Sequence, residues 1–412
     1  MPGVSGCLEH TAVLSQLIKE AKAEKKSLVI TWLDIANAYR SLPHWLILSS
    51  LRRAHVPEEM CTLIAEYYSD VKIRFSTKEF TTEWQKVEKG IITGCTLSVI
   101  VFALAMSMLI AEVKRETKGP KTKSGQQQVN SRLFMDDIAT TTETLVQTKY
   151  LLDKMAEKLD WAELEVRPEK CRSLVIIDGK LSRRTPTINN KPITSITEKP
   201  IKYLGKTYNR TLNDREQTKD ILEDLEKSLK KLEKCRVPGR YKAWMVQNTL
   251  IPKLIWPLTI YEIPETKVKE MQGKITMKLK KWLGLPRSLS VECLYTKTGK
   301  LQLPLKELSE EVKAAKARLL VTLQEAQDPC VSEAGATVDG GRKANTEKGI
   351  KEAKEKLCTE EIVGIPNKGR EGFGLNPKRY WSKTSSMGER RSMIVDKIKE
   401  AEEERRRVKM QG

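Results

Sequence analysis

Histidine is almost absent, with three residues (His10, His44 and His55) in 412. The eight cysteines (Cys7, Cys61, Cys95, Cys171, Cys235, Cys293, Cys330 and Cys358) are scattered and form no C-x-x-C pair. Cys/His zinc sites draw on such pairs, so no zinc is expected. No internal repeat and no secretory leader is visible. Reduced thiols and an intracellular setting, nuclear or cytoplasmic, are therefore expected. Long uncharged runs are lacking too, with one exception, Ile91 to Ala111. That run has the length of a membrane span, but Thr93, Gly94, Cys95, Thr96 and Ser98 crowd its first third. Ser98 to Val113 then reads as a helix apolar on nearly all sides, hence central in a core, and no membrane is expected.

What the sequence has in excess is positive charge. Seventy-four Lys and Arg against 54 Asp and Glu give +20 and a pI near 9.4. Such a surplus suits a polyanionic partner, because each neutralised phosphate releases condensed counterions. The competing reading is a solvated, Lys-rich helical surface. With 39% hydrophobic and 31% charged residues, the composition suits a soluble protein with long helices. The length allows two or three domains.

Along the chain, Leu14, Leu17, Ile18 and Ala21 keep helical spacing, and Leu28 to Leu33 reads as a strand running into Asp34. His44 to Ser69 is helical, and "VKIRFSTKEFTTEWQKVEKG" alternates like a hairpin ending at Gly90. "VNSRLFMDDIATTTET" looks like a second hairpin with aspartates at its turn. An amphipathic helix over Leu145 to Leu164 and the strand "CRSLVIIDGK" follow. After Asn209 the character changes: residues 213 to 320 are basic and helix-compatible, Asp328 to Lys348 reads as a linker, and a charged helix ends the chain. The fold class is α+β, with divisions at 1–210, 211–325 and 326–412.

Asp136 and Asp137 stand side by side in an apolar run, where paired carboxylates are costly unless a cation is shared. Successive residues on a flat strand face opposite ways, so a turn is needed to aim both at one site. Asp34 also closes an apolar strand. Acids ending adjacent strands could bridge two Mg²⁺ ions about 4 Å apart. Equally, Asp34 caps the next segment and the pair only makes a turn; residue spacing leaves both open.

Five segments occur in a telling order: "LDIANAYRSLPH" (33–44), "KGIITGCTLS" (89–98), "LFMDD" (133–137), "LEVRPEKCRSL" (164–174) and "IKYLGKTY" (201–208). They resemble motifs A to E of reverse transcriptases, specifically those of non-LTR (LINE-like) retrotransposons. "GCLEH" is similar to the segment preceding motif A. The resemblance covers about half the chain, from Gly6 to Asn209, and implies an enzyme truncated at the fingers. It implies a polymerase-type palm, with an antiparallel sheet packed by helices, over residues 1–210 together with partial fingers. A basic helical thumb over 211–325 and a linker with a charged helical tail over 326–412 follow.

The implied activity is RNA-directed DNA polymerisation, with an RNA template, a DNA primer and dNTPs as partners. Asp34, the Ile35 carbonyl, Asp136 and Asp137 would hold two Mg²⁺ ions, or Mn²⁺ in their place. Lys170 would donate a proton to pyrophosphate. Tyr39 would lie under the sugar and exclude a 2′-hydroxyl, while Thr93 (where the family often has Gln) and Gly94 would meet the incoming nucleotide. Tyr203, Leu204 and Gly205 look like the primer-grip hairpin. Val268, Met271, Ile275, Leu279 and Trp282 form one apolar helical stripe. Beside it Lys274, Lys278 and Lys281 would meet nucleic acid. The alternative function is a catalytically inactive retroelement remnant that only binds nucleic acid.

Overall fold

In the computed structural model, residues 6–296, 305–338 and 346–411 are described. The chain forms two compact units, one of Leu14–Thr211 and one of Leu212–Gly412 with Met1–Val13.

The first unit is built on five antiparallel strands in the order β4-β5-β1-β6-β7. These are β1 (Leu28–Leu33), β4 (Ser131–Phe134), β5 (Asp137–Thr142), β6 (Arg172–Ile177) and β7 (Lys180–Leu181). The part of helix α1 (Gly6–Ala23) from Leu14 onward belongs to this unit and leads to β1. Helices α2 (Ala38–Ser41), α3 (His44–Arg53) and α4 (Glu58–Ser69) lead to the small hairpin β2–β3 (Lys72–Ile73 and Gln85–Lys86). α5 (Thr96–Val113) and α6 (Leu145–Trp161) follow, then the hairpins β8–β9 (Thr187–Ile188, Lys191–Pro192) and β10–β11 (Ile201–Tyr203, Lys206–Tyr208).

β1 is buried along its whole length, which is why it reads as a continuous apolar run rather than an alternating one. Leu33 and Ile138 join the core formed with α3, α5 and α6. Trp32, on the other face, meets the rings of Tyr208 at 5.2 Å and Tyr203 at 6.4 Å. α6 starts with a reciprocal cap between Thr144 and Gln147, which satisfies two otherwise orphaned backbone donors.

α5 departs from the expected all-round burial. Val101, Phe102, Ala105, Met106, Leu109 and Ile110 enter the core, but Val99 and Ile100 face solvent. The helix lies on the sheet rather than inside the unit, so one face is buried. It is long and apolar enough to cross a membrane, and 44% of it is buried inside the unit.

The second unit is helical. It contains α7 (Arg215–Lys234), α8 (Gly239–Met245), a π-helical turn (Val246–Leu250), α9 (Ile251–Ile260) and α10 (Glu265–Trp282). After these come α11 (Val291–Tyr295), α12 (Leu308–Gln324), α13 (Pro329–Ser332), α14 (Thr346–Val363), a 3₁₀ segment (Pro366–Gly372) and α15 (Met387–Gln411). The apolar stripe of α10 is buried at Val268, Met271, Ile275 and Leu279, with Trp282 packed partly against the same core.

α13 and the first residues of α14 fall inside the stretch read as a linker, of which residues 339–345 lie outside the described residues. α15 packs on α12 and α14. The Arg406 guanidinium binds Glu307 at 2.8 Å, Glu310 at 2.6 Å and Glu403 at 2.8 Å.

Candidate active site

The register of the sheet brings two acids together. Leu33, the last residue of β1, pairs with Ile138 of β5, so Asp34 leaves the strand near Asp137, whose carboxyl feels its charge. β4 and β5 join through a two-residue turn, with Phe134 paired to Asp137. Met135 takes the first turn position at φ 56°, the left-handed backbone that such tight hairpins require there. Asp136 takes the second. The turn breaks the strict strand alternation, as expected from the adjacent aspartates.

The electrostatics register this crowding. The Asp137 carboxyl is pushed up from the usual range, first by loss of hydration, then by the charges of Asp136 and Asp34. Like charges held together disfavour ionisation unless a cation is added. An all-oxygen donor set suits Mg²⁺, Mn²⁺ or Ca²⁺ over zinc, so the residues fit a divalent ion in charge and chemistry. Among the described residues, however, no three Asp, Glu, His or Cys side chains are gathered into a ready cage.

Asp34 is pinned from behind. Its carbonyl accepts from Arg167 N–H at 3.0 Å, and Ala36 N–H donates to the Glu165 carbonyl at 2.7 Å. Ile35 bridges Val166 between them, and neither bond uses the Ile35 carbonyl. Asp34 N–H points at Cys171 Sγ, 3.4 Å away. Burial pushes that thiol up to about 11. Cys171 and the 165–167 segment escaped the sequence reading because their role is to hold backbone. Lys170 is exposed in the turn just before Cys171.

Tyr39 stacks on Phe102 at 4.3 Å with the rings 8° from parallel. Its hydroxyl donates to Met135 Sδ at 3.6 Å. Burial, then the nearby Asp136 charge, raises the Tyr39 phenol. The aromatic side chain thus lies beside the acidic turn.

Ile91 N–H donates to the Tyr39 carbonyl and Gly90 N–H to the Leu42 carbonyl, both at 2.8 Å. Gly90 has φ +94°, and a Cβ there would meet the Arg40 carbonyl oxygen at 2.5 Å. No larger residue fits, a constraint the sequence reading assigned only to a hairpin end. Gly94, at φ +93°, borders open space, and Thr93 is exposed beside it.

At the second hairpin, Leu204 and Gly205 have φ 45° and 84°, the pair of positive angles of a type I′ turn. Tyr203 does not face solvent. It is 2% exposed with its ring toward Trp32, so it anchors the hairpin, which corrects the expectation that it touches nucleic acid. The three α10 lysines are also committed: Lys274 binds Glu226 at 2.8 Å, and Lys278 and Lys281 both bind Glu233. Those two ammonium groups hold the Glu233 carboxyl down to about 2.

Comparison with known proteins gives the family. Residues 3–208 match the family model described as reverse transcriptase (RNA-dependent DNA polymerase). The chain is 26% identical over 326 residues to the Pol polyprotein of the type-1 retrotransposable element R2 of Nasonia vitripennis, covering 76% of this chain and 30% of that protein. It is 24% identical over 309 residues to that of the type-2 element R2DM of Drosophila melanogaster, covering 73% and 29%. The R2 protein of Bradysia coprophila gives 24% over 302 residues, 71% and 34%. The chain thus spans about a third of the length of these relatives. Together with the family match, they support a reverse transcriptase of the non-LTR type. With half of its length matched by the model, the chain belongs to the reverse transcriptase (RNA-dependent DNA polymerase) family.

Proposed function

We propose that this chain is an RNA-directed DNA polymerase core that joins dNTPs to a primer 3′-hydroxyl on an RNA template. Residues 1–210 serve as palm with part of the fingers, and 211–325 as thumb. The observation that supports the reading is acids at two adjacent strand ends: Leu33 pairs with Ile138 and Phe134 with Asp137, and the Asp137 carboxyl feels the charges of Asp136 and Asp34.

Asp34, the Ile35 carbonyl, Asp136 and Asp137 would hold two Mg²⁺ ions. Bound there, they would lower the pKa of the primer hydroxyl and neutralise the leaving pyrophosphate. The remaining work is positioning. Tyr39, braced by Phe102 and Met135, would lie under the sugar and exclude a 2′-hydroxyl. Thr93 and Gly94 meet the nucleotide from the open side, and the exposed Lys170 ammonium supplies a proton to pyrophosphate. The Leu204–Gly205 turn lets primer backbone approach closely. Lys274, Lys278 and Lys281 reach a phosphate only by giving up Glu226 and Glu233.

The test is dNTP incorporation on primed RNA with Mg²⁺ or Mn²⁺. Incorporation that disappears in Asp136→Asn is expected. Wild-type chain at background on several templates overturns the reading.

A further inference from the structure

Residues 234–261 contain five cations (Lys234, Arg236, Arg240, Lys242 and Lys253) and no carboxylate, in a chain where about one residue in eight is acidic. Most of this stretch is one continuous helix, α8 through α9. Ala243, Val246, Leu250, Ile251, Leu254 and Leu258 bury one side in the core of the second unit. Tyr241, Trp244, Asn248, Pro252 and Trp256 recur at +3, +4, +4 and +4 along the other side and are exposed. The rings stand well out, at 48% for Tyr241, 62% for Trp244 and 42% for Trp256.

The π-helical turn interrupts this stripe. Pro252 has no N–H to return to the Asn248 carbonyl, and Ile251 N–H reaches five residues back to the Val246 carbonyl. Such bulges are often found at functional sites. Arg240 lies over the Tyr241 ring at 4.8 Å. Among the described residues, Lys234, Arg236, Arg240 and Lys253 have no carboxylate within ion-pair distance, unlike Lys274, Lys278 and Lys281.

We propose that this face, from Arg240 to Trp256, is a stacking platform for unpaired RNA. A helix face with unneutralised cations and no acid of its own is complementary to phosphate. Exposed indole and phenol rings stack on bases only when those bases are out of a duplex. Trp244 and Trp256 are separated by roughly 18 Å along the helix, room for about five stacked nucleotides. The polymerase reading contributes only the choice of RNA as the polyanion.

The test uses the full chain, fluorescein-labelled U20 RNA and a 20-base-pair RNA duplex, with anisotropy titrations at two salt concentrations. Trp244→Ala and Trp256→Ala should each weaken U20 binding by about 5- to 100-fold and duplex binding far less. The double variant Arg240→Gln/Lys253→Gln should lower the salt slope for U20 by about 1.4. Photocrosslinking of 4-thiouridine RNA to the wild-type chain, mapped by mass spectrometry, should mark residues 240–256, which keeps the proposal testable if a variant misfolds. Unchanged U20 affinity in both tryptophan variants, equal loss for duplex and U20, or crosslinks confined to other segments overturns it. A wild-type chain that binds U20 through these rings but does not extend a primer upholds the platform and overturns the polymerase reading. Extension with no effect of the tryptophans does the reverse.

Discussion

The amide of Asp34 points at the sulfur of Cys171 across 3.4 Å, so the acid that ends β1 rests on a thiol with no access to solvent. Cys171 also donates to the Arg167 carbonyl at 3.2 Å, and its raised pKa keeps it a neutral donor at physiological pH. Alkylation at pH 7.5 should therefore modify the exposed Cys235 and Cys358 and leave Cys171 intact until the chain unfolds. Cys95 should react at lower pH than an ordinary thiol, because backbone N–H groups of Ser98 and Leu97 favour its thiolate. Peptide mapping after timed iodoacetamide exposure measures both. Early labelling of Cys171 would sink this account of the Asp34 support.

The raised carboxyl of Asp137 fixes the sign of a pH effect. A carboxyl whose folded pKa lies above its unfolded value contributes stability that is complete below the unfolded value. That contribution is lost as pH rises through the folded one. Metal-free chain should thus lose stability across the acidic range through this group, and Mg²⁺ should restore it at neutral pH. Asp137→Asn should raise the metal-free Tm by about 2–4 °C and cut the gain on adding Mg²⁺. Thermal unfolding with and without the ion checks both; an Asn variant less stable than wild type in EDTA contradicts the crowding.

Gly90 and Gly94 predict unequal costs for one substitution. Gly94→Ala meets only a left-handed backbone penalty of about 1–2 kcal/mol. Gly90→Ala adds a collision with the Arg40 backbone and should cost several times more. Urea unfolding of the two variants separates them, and equal midpoints would show that the close approach at Gly90 does not exist in solution.

Arg406 is mostly buried among three carboxylates. Arg406→Met leaves Glu307, Glu310 and Glu403 facing one another, a loss of about 3–5 kcal/mol. Burial already raises the Glu310 carboxyl and Arg406 holds it down; without the guanidinium it rises further, so the penalty should shrink as pH falls toward 5. A pH-independent penalty would point to lost packing instead.

Part of the backbone around the acids was readable in the letters: a strand running into Asp34 and a hairpin turn at the aspartates, with Met135 and Asp136 in the turn and Asp137 opening β5. What escaped reading depends on partners distant in sequence. The α10 lysines lie beside an apolar stripe that was read correctly, but spacing along one helix cannot reveal Glu226 and Glu233 on α7. Tyr203 is a surface aromatic by motif and a core one by packing, because Trp32 occupies the facing side of β1. The run free of acid from Lys234 to Tyr261 was visible in the letters, while only the helix showed that its aromatics share one exposed side.

The segment from Gly90 to Gly94 is fastened at both ends. One end is bonded to the backbones of Tyr39 and Leu42 and lies against Arg40, and the other runs through Cys95 into α5, while Gly94 between them borders open space. On the function proposed above, a base arriving at Gly94 and a sugar arriving at Tyr39 would meet two parts of one backbone-bonded segment, so replacing Gly90 should disturb both contacts at once.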